Sequence, residues 1–151
     1  VTSIDAAADA LRRPDGMDRT WLMTGSEAAG SELLADDEIK LLRRALLEWG
    51  GPAHCSDHLA VGMGFADQHD LLDQCRRLRS ALADDVPLTR GDWARVLLAT
   101  EIVFASDLMG SGIDWSVTTG LSDEATIRTL RSIQRKLGKT IRAYYGKTPT
   151  E

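Results

Sequence analysis

The chain has 151 residues, with 18 Lys and Arg against 23 Asp and Glu for a net charge of −5, and its hydrophobic content of 43% is that of an ordinary globular protein. This length fits one domain that buries roughly two thirds of the surface its unfolded form exposes. No apolar run approaches the roughly 20 residues of a membrane span, and two cysteines, Cys55 and Cys75, are too few for a disulfide framework.

Helical punctuation dominates the pattern, and no run of alternating apolar and polar residues is bounded by hairpin turns, so the sequence predicts an all-α fold. Residues 4 to 13 form an Ala-rich helix candidate behind Ser3, stopped by Pro14-Asp15-Gly16. Asp5 and Asp9 interrupt this stretch and no basic region precedes it, which argues against a secretory leader and leaves a cytoplasmic location as the expectation. The segment from Met17 to Gly30, with Trp21-Leu22-Met23 at its centre, reads as an arm that packs on the body or crosses to a second subunit of a homodimer. Asn is absent and Arg outnumbers Lys, a bias expected of a GC-rich bacterial genome.

From Asp36, Ile39, Leu42, Leu46 and Trp49 recur at helical spacing, with Asp36, Asp37 and Glu38 at the positive end and Gly50-Gly51-Pro52 as the stop. Pro52 is expected to open a shorter helix to about Val61. A third runs from Gln68 to Ala83, with Leu71, Cys75, Leu78 and Leu82 along one stripe. Thr89 launches a helix to about Met109 whose apolar residues surround the axis, the mark of a central element. Gly110-Ser111-Gly112 ends it, Ile113 to Thr119 add a turn, and Ser122 caps a last helix reaching about Tyr144, with Gly138 as a weak point. The expected architecture is a compact single-domain bundle of five or six helices, divided into an N-terminal helix and arm over 1–33 and a helical domain over 34–151.

Charge is unevenly spread. From Arg128 onward seven bases meet the single acid Glu151, a net +6, which leaves the preceding 127 residues at −11. Such asymmetry points to an interaction surface, and cations also gather at the negative end of a helix. On the last helix Ile127, Leu130, Gln134, Leu137, Ile141 and Tyr144 form an apolar seam, so Arg128, Arg131, Arg135, Lys136, Lys139 and Arg142 fall on other faces. They are the candidate partner-binding residues of a non-catalytic regulatory or protein-interaction module that contacts an acidic protein partner.

Two alternatives are open. Residues 113–137, with Ile113 to Thr119, the turn at Gly120 and the helix behind Ser122, resemble a helix-turn-helix, which implies DNA binding through the major groove. The resemblance covers about a fifth of the chain; the apolar position of the second helix arrives one residue late, and Asp123 and Glu124 open the would-be recognition helix toward phosphates. Separately, every histidine and cysteine lies between His54 and Cys75, and His54 and His58, one helical turn apart, would clasp zinc with an aspartate such as Asp57, Asp70 or Asp73. His69 lies about 120° from Cys75 on a helix, and Cys75 belongs to an apolar stripe, so neither joins that pair readily.

Glu101 interrupts the apolar central helix. It is expected to be a buried carboxylate held by Arg43, Arg44 or Arg131, or to serve as a general base. No nucleophile-base-acid order, phosphate loop, glycine-rich nucleotide fingerprint or paired-carboxylate motif accompanies it.

Overall fold

Short polar side chains start four of the helices, two of them, Thr89 and Ser122, where the sequence places them. In the computed structural model, which describes residues 27–144 and the side chains of residues 27–141, the helices are α1 (Gly30–Leu33), α2 (Asp36–Glu48), α3 (Asp57–Gly62), α4 (Gln68–Ala83), α5 (Arg90–Ala105), α6 (Trp115–Thr119) and α7 (Asp123–Tyr144), with a 3-10 turn over Gly112–Asp114. Ser56 accepts from the Leu59 amide, Asp67 from that of Asp70, Thr89 from that of Asp92 and Ser122 from that of Ala125, so four helices satisfy an otherwise orphaned N–H with a capping oxygen. Asp70 also accepts from the amide of Ala66, the residue before the cap, at 2.9 Å, which ties the incoming chain to the first turn of α4. The expected helix over residues 4–13 and the Trp21-Leu22-Met23 arm lie outside the described residues.

The all-α bundle is as expected, and no helix among the described residues is long and apolar enough to cross a membrane. Two boundaries differ. The stretch from Pro52 to Ser56 is not helical, because Ser56 rather than Pro52 supplies the start of α3. Helix α5 stops at Ala105, earlier than Met109, and the chain there turns back on its own carboxyl end. The amide of Ser111 donates to the Val103 carbonyl at 2.7 Å.

Helix α2 packs against α4, α5 and α7, and α5 packs against both α2 and α7, so these two form the centre. Leu42, Ala45 and Leu46 of α2 and Trp93, Val96, Ala99 and Val103 of α5 are buried together. Helix α7 presents Leu130, Ile133, Leu137 and Ile141 to this core. Its seam is rotated from the expected one: Thr126 and Ile133 are buried, whereas Ile127 is 42% exposed and Gln134 half-buried. The rotation places the Thr126 hydroxyl against the buried Trp115 indole, whose N–H donates to it at 2.9 Å. The helix continues through Gly138 without a break.

Three tryptophans tie elements together with their one donor each. Trp49 donates to the Ala99 carbonyl at 3.2 Å, Trp93 to the Ala28 carbonyl at 3.0 Å, and Trp115 to Thr126. Phe104 meets Trp115 edge to face with ring centroids 5.4 Å apart. Residues 28–33, grouped with the arm by sequence, are fastened to the body: Ala28 and Leu88 exchange a pair of backbone bonds, and Asp85 accepts from both the amide and the hydroxyl of Ser31.

The return of the chain at residues 110–112 depends on glycine. A Cβ on Gly110 would lie 2.5 Å from the Val103 carbonyl oxygen, and one on Gly112, at φ +49°, would lie 2.3 Å from the Asp107 Cα. Gly110→Ala is therefore expected to destabilise the protein by about 2 kcal/mol, read as a lower denaturant midpoint with the slope unchanged; a midpoint equal to that of the unaltered chain contradicts the tight return.

Candidate functional site

An α-helix turns about 100° per residue, so Arg128, Arg131, Arg135, Lys139 and Arg142 fall within an arc of roughly 80° on α7. This arc lies opposite the buried stripe of Leu130, Ile133 and Leu137. Arg128, Arg131, Arg135 and Lys139 are all exposed. Arg128, Arg135 and Lys139 have no hydrogen-bond or ion-pair partner among the described residues, Glu124 one turn before Arg128 included. The backbone places Arg142 in register with them, while its side chain lies outside the described residues, as does Lys147.

Lys136 stands apart from this arc. Its ammonium donates to Glu38 Oε1 at 2.5 Å, across 98 positions of sequence, and Glu38 is 2% exposed. Lys136 thus compensates a buried carboxylate of α2 and is subtracted from the partner-binding set. Arg131 is also partly engaged: it donates to Gln134 Oε1 at 2.8 Å, and Gln134 Nε2 in turn donates to Glu101. Glu101 is half-buried rather than buried, because its place on α5 faces the polar edge of α7 where Gln134 reaches it. The arginine expected as its partner acts one step removed, through that amide.

Among the described residues the deeply buried carboxylates are Glu38, Glu48 and Asp92. Glu38 Oε1 also accepts from the Ala35 amide at 2.8 Å, closing the first turn of α2. Burial works to raise its pKa, but the bonds from Lys136, Ala35 and Ser132 together with the lysine charge outweigh it and hold the carboxyl below its ordinary value. Glu48 pairs with Arg44 at 3.0 Å and accepts from Ser111 at 2.7 Å and Thr118 at 2.9 Å, while Arg44 donates to the Thr118 carbonyl. Asp92 is gripped by Arg77 at 2.7 and 3.2 Å and by Arg95 at 3.0 Å. The sequence held a signal for the first two. Glu38 keeps register with Leu42, Ala45 and Trp49, and Glu48 with Leu41 and Ala45, at three- and four-residue steps. Reading Glu38 as a dipole-complementing acid hid its inward position.

His54 and His58 do not share a helix. His54 is exposed in the non-helical stretch before α3 and His58 is exposed on α3, so the helical turn that was to clasp zinc between them is absent. The His54 amide donates to the Met109 carbonyl, which holds that stretch extended against the end of the α5 region. Among the described residues no group of three or more His, Cys, Asp or Glu is arranged to hold an ion. Cys75 is buried on its predicted stripe, and burial pushes its thiol up to about 12; Cys55 is half-buried and raised by burial and by Asp57. Neither thiol is poised as a nucleophile, since the thiolate is the reactive form.

The region resembling a helix-turn-helix has a single 3-10 turn and the five-residue helix α6 in its first arm. Gly120, at φ +73°, provides the turn, as expected. Ile113 and Val117 are 81% and 83% exposed, whereas Trp115 of the same arm is fully buried and donates to Thr126 of α7. Comparison with protein-family models, with curated proteins and with solved structures finds no match to this chain.

The Lys136–Glu38 pair makes a direct prediction. A carboxyl held below its ordinary value stabilises the fold above that value, and the contribution is lost as pH falls through the lowered one. Lys136→Met is expected to lower stability by about 1 to 2 kcal/mol at neutral pH, the lower end for a buried pair because the lysine is half-exposed. The difference should shrink as acidification protonates Glu38 in both proteins. Urea unfolding at a series of pH values checks this, and a difference constant with pH would contradict it.

Proposed function

We propose that this protein is a non-catalytic helical regulatory or interaction module that docks an acidic protein partner on the outer face of α7. The observation that carries the reading is the exposed arc of Arg128, Arg131, Arg135 and Lys139, three of which have no partner among the described residues. Four cations kept apart along one straight face repel one another, and an opposing row of carboxylates relieves that repulsion while steering the encounter. Arg142 extends the row to about 21 Å from Arg128, the reach of a short acidic helix or extended segment. The stripe also sits on a helix whose opposite side is anchored in the core, which holds the charges at fixed spacing.

A protein partner is favoured over a DNA duplex by the ends of the same helix. Asp123 and Glu124 are exposed at its start, where a recognition helix would meet phosphates, and of the apolar residues in the arm before it only Trp115 is buried while Ile113 and Val117 stand in solvent.

The test uses poly-L-glutamate as the acidic polypeptide and a short DNA duplex in parallel, titrated across roughly 50 to 200 mM salt. The protein should bind poly-L-glutamate with an affinity that falls as salt rises. The triple substitution Arg128→Glu, Arg135→Glu and Lys139→Glu should weaken that binding at least about tenfold. Binding unaffected by the triple substitution removes the docking face, and tighter, stripe-dependent binding of the duplex replaces the protein partner with nucleic acid.

A further inference from the structure

A second cationic feature lies on the other side of α2. Where α2 ends and α4 passes it, a cleft of about 430 Å³ opens between the helices, and Arg44, Arg76 and Arg79 line it together with Leu72, Cys75 and the Gly50-Gly51-Pro52 turn. That volume falls in the range of small-molecule sites.

The three arginines are in different electrostatic states. Arg44 is matched by the buried Glu48 and fixed by the Thr118 carbonyl, so it forms a neutral wall. Arg79 is half-buried and spends its Nε on the Arg43 carbonyl at 3.2 Å, which orients the guanidinium and leaves both terminal nitrogens without a partner among the described residues. Among the described residues Arg76 meets only Asp73, at 3.3 Å, with both side chains more than 70% exposed; such a pair is weak and readily exchanged for a better anion. Two guanidinium forks, each able to grip an oxyanion in bidentate fashion, thus border a cleft whose inner side is apolar. Cys75 contributes a thiol that remains protonated and behaves as a small hydrophobe. The lining also includes Glu48 and Thr118, but the Glu48 carboxylate is taken up by Arg44, Ser111 and Thr118, so the chemistry is that of binding.

We propose that this cleft is a binding site for an amphipathic organic anion, with a carboxylate or phosphate head on Arg76 and Arg79 and a short apolar body against Leu72 and Cys75. The site is separate from the outer face of α7 and does not rest on the docking of an acidic protein there. The head is recognised by charge and by paired donors. The body is recognised because apolar surface leaves water when it enters the cleft.

The experiment titrates the full chain with octanoate, octanol and inorganic phosphate by calorimetry, with backbone amide shifts of Gly50, Gly51, Leu72 and Cys75 as the readout of location. Octanoate should bind and move those four amides, while octanol and inorganic phosphate alone should each bind at least about tenfold more weakly. The double substitution Arg76→Gln and Arg79→Gln should abolish the octanoate preference over octanol. Both arginines are accessible enough for the double variant to fold, which its circular dichroism and unfolding midpoint will establish; Arg76→Gln alone, at the exposed position, provides the same comparison should the double variant be unstable. Octanoate binding that matches octanol, that survives the substitutions unchanged, or that shifts amides elsewhere overturns the proposal, as does the absence of octanoate binding.

Discussion

A carboxylate withdrawn from water has to be met by donors inside the fold, and α2 withdraws one near each of its ends. Glu38 is answered by its own helix start and by Lys136 of α7, Glu48 by its own Arg44 and by Ser111 and Thr118 from the segment between α5 and α7. Each answer brings in a residue distant in sequence, so satisfying these two groups fixes where the carboxyl-terminal half of the protein lies on α2. Apolar contact alone would leave α7 freer to slide or rotate, because its buried residues are aliphatic and interchangeable in shape. The Lys136 contact and the Trp115–Thr126 bond remove that freedom and set which side of α7 looks outward.

The orientation of α7 is what separates its cations into two kinds. Lys136 lies near enough to the packed side to be drawn to Glu38, whereas Arg128, Arg135 and Lys139 pair with no acid among the described residues. Within a chain of net charge −5, this face therefore carries a positive row that the described residues do not compensate. Long-range attraction to the acidic body does not neutralise it, since exposed charges separated by more than about 8 to 10 Å are largely screened at ordinary salt.

Much of the fold was legible in local chemistry. Thr89 and Ser122 named their helix starts because a short side-chain oxygen serves a capping amide wherever the chain enters a helix, and the Leu71, Cys75, Leu78 stripe named its buried face through simple periodicity. The start of α3 was misread at Pro52, a residue that tolerates a first turn without requiring one. The seam of α7 was misread by one position because Thr126 and Gln134 are both amphipathic and only a tertiary bond, from Trp115, decides between them. The buried acids were harder still. Glu38 complements a helix dipole and lies on the core side at once, and a sequence displays the first property while the second depends on Lys136, 98 positions away. Of the six bases proposed for partner contact, periodicity placed five on one arc, but it could not show that Lys136 was committed elsewhere.

The return of the chain at Gly110-Ser111-Gly112 has a bearing on how the molecule assembles. Helix α7 follows in sequence every element it covers, so a growing polypeptide carries the apolar flank of α5 and the unanswered Glu38 until the later segment doubles back. The outward row of cations is presented in its fixed spacing only once that doubling back is complete. Positive display and closure of the interior are thus one event.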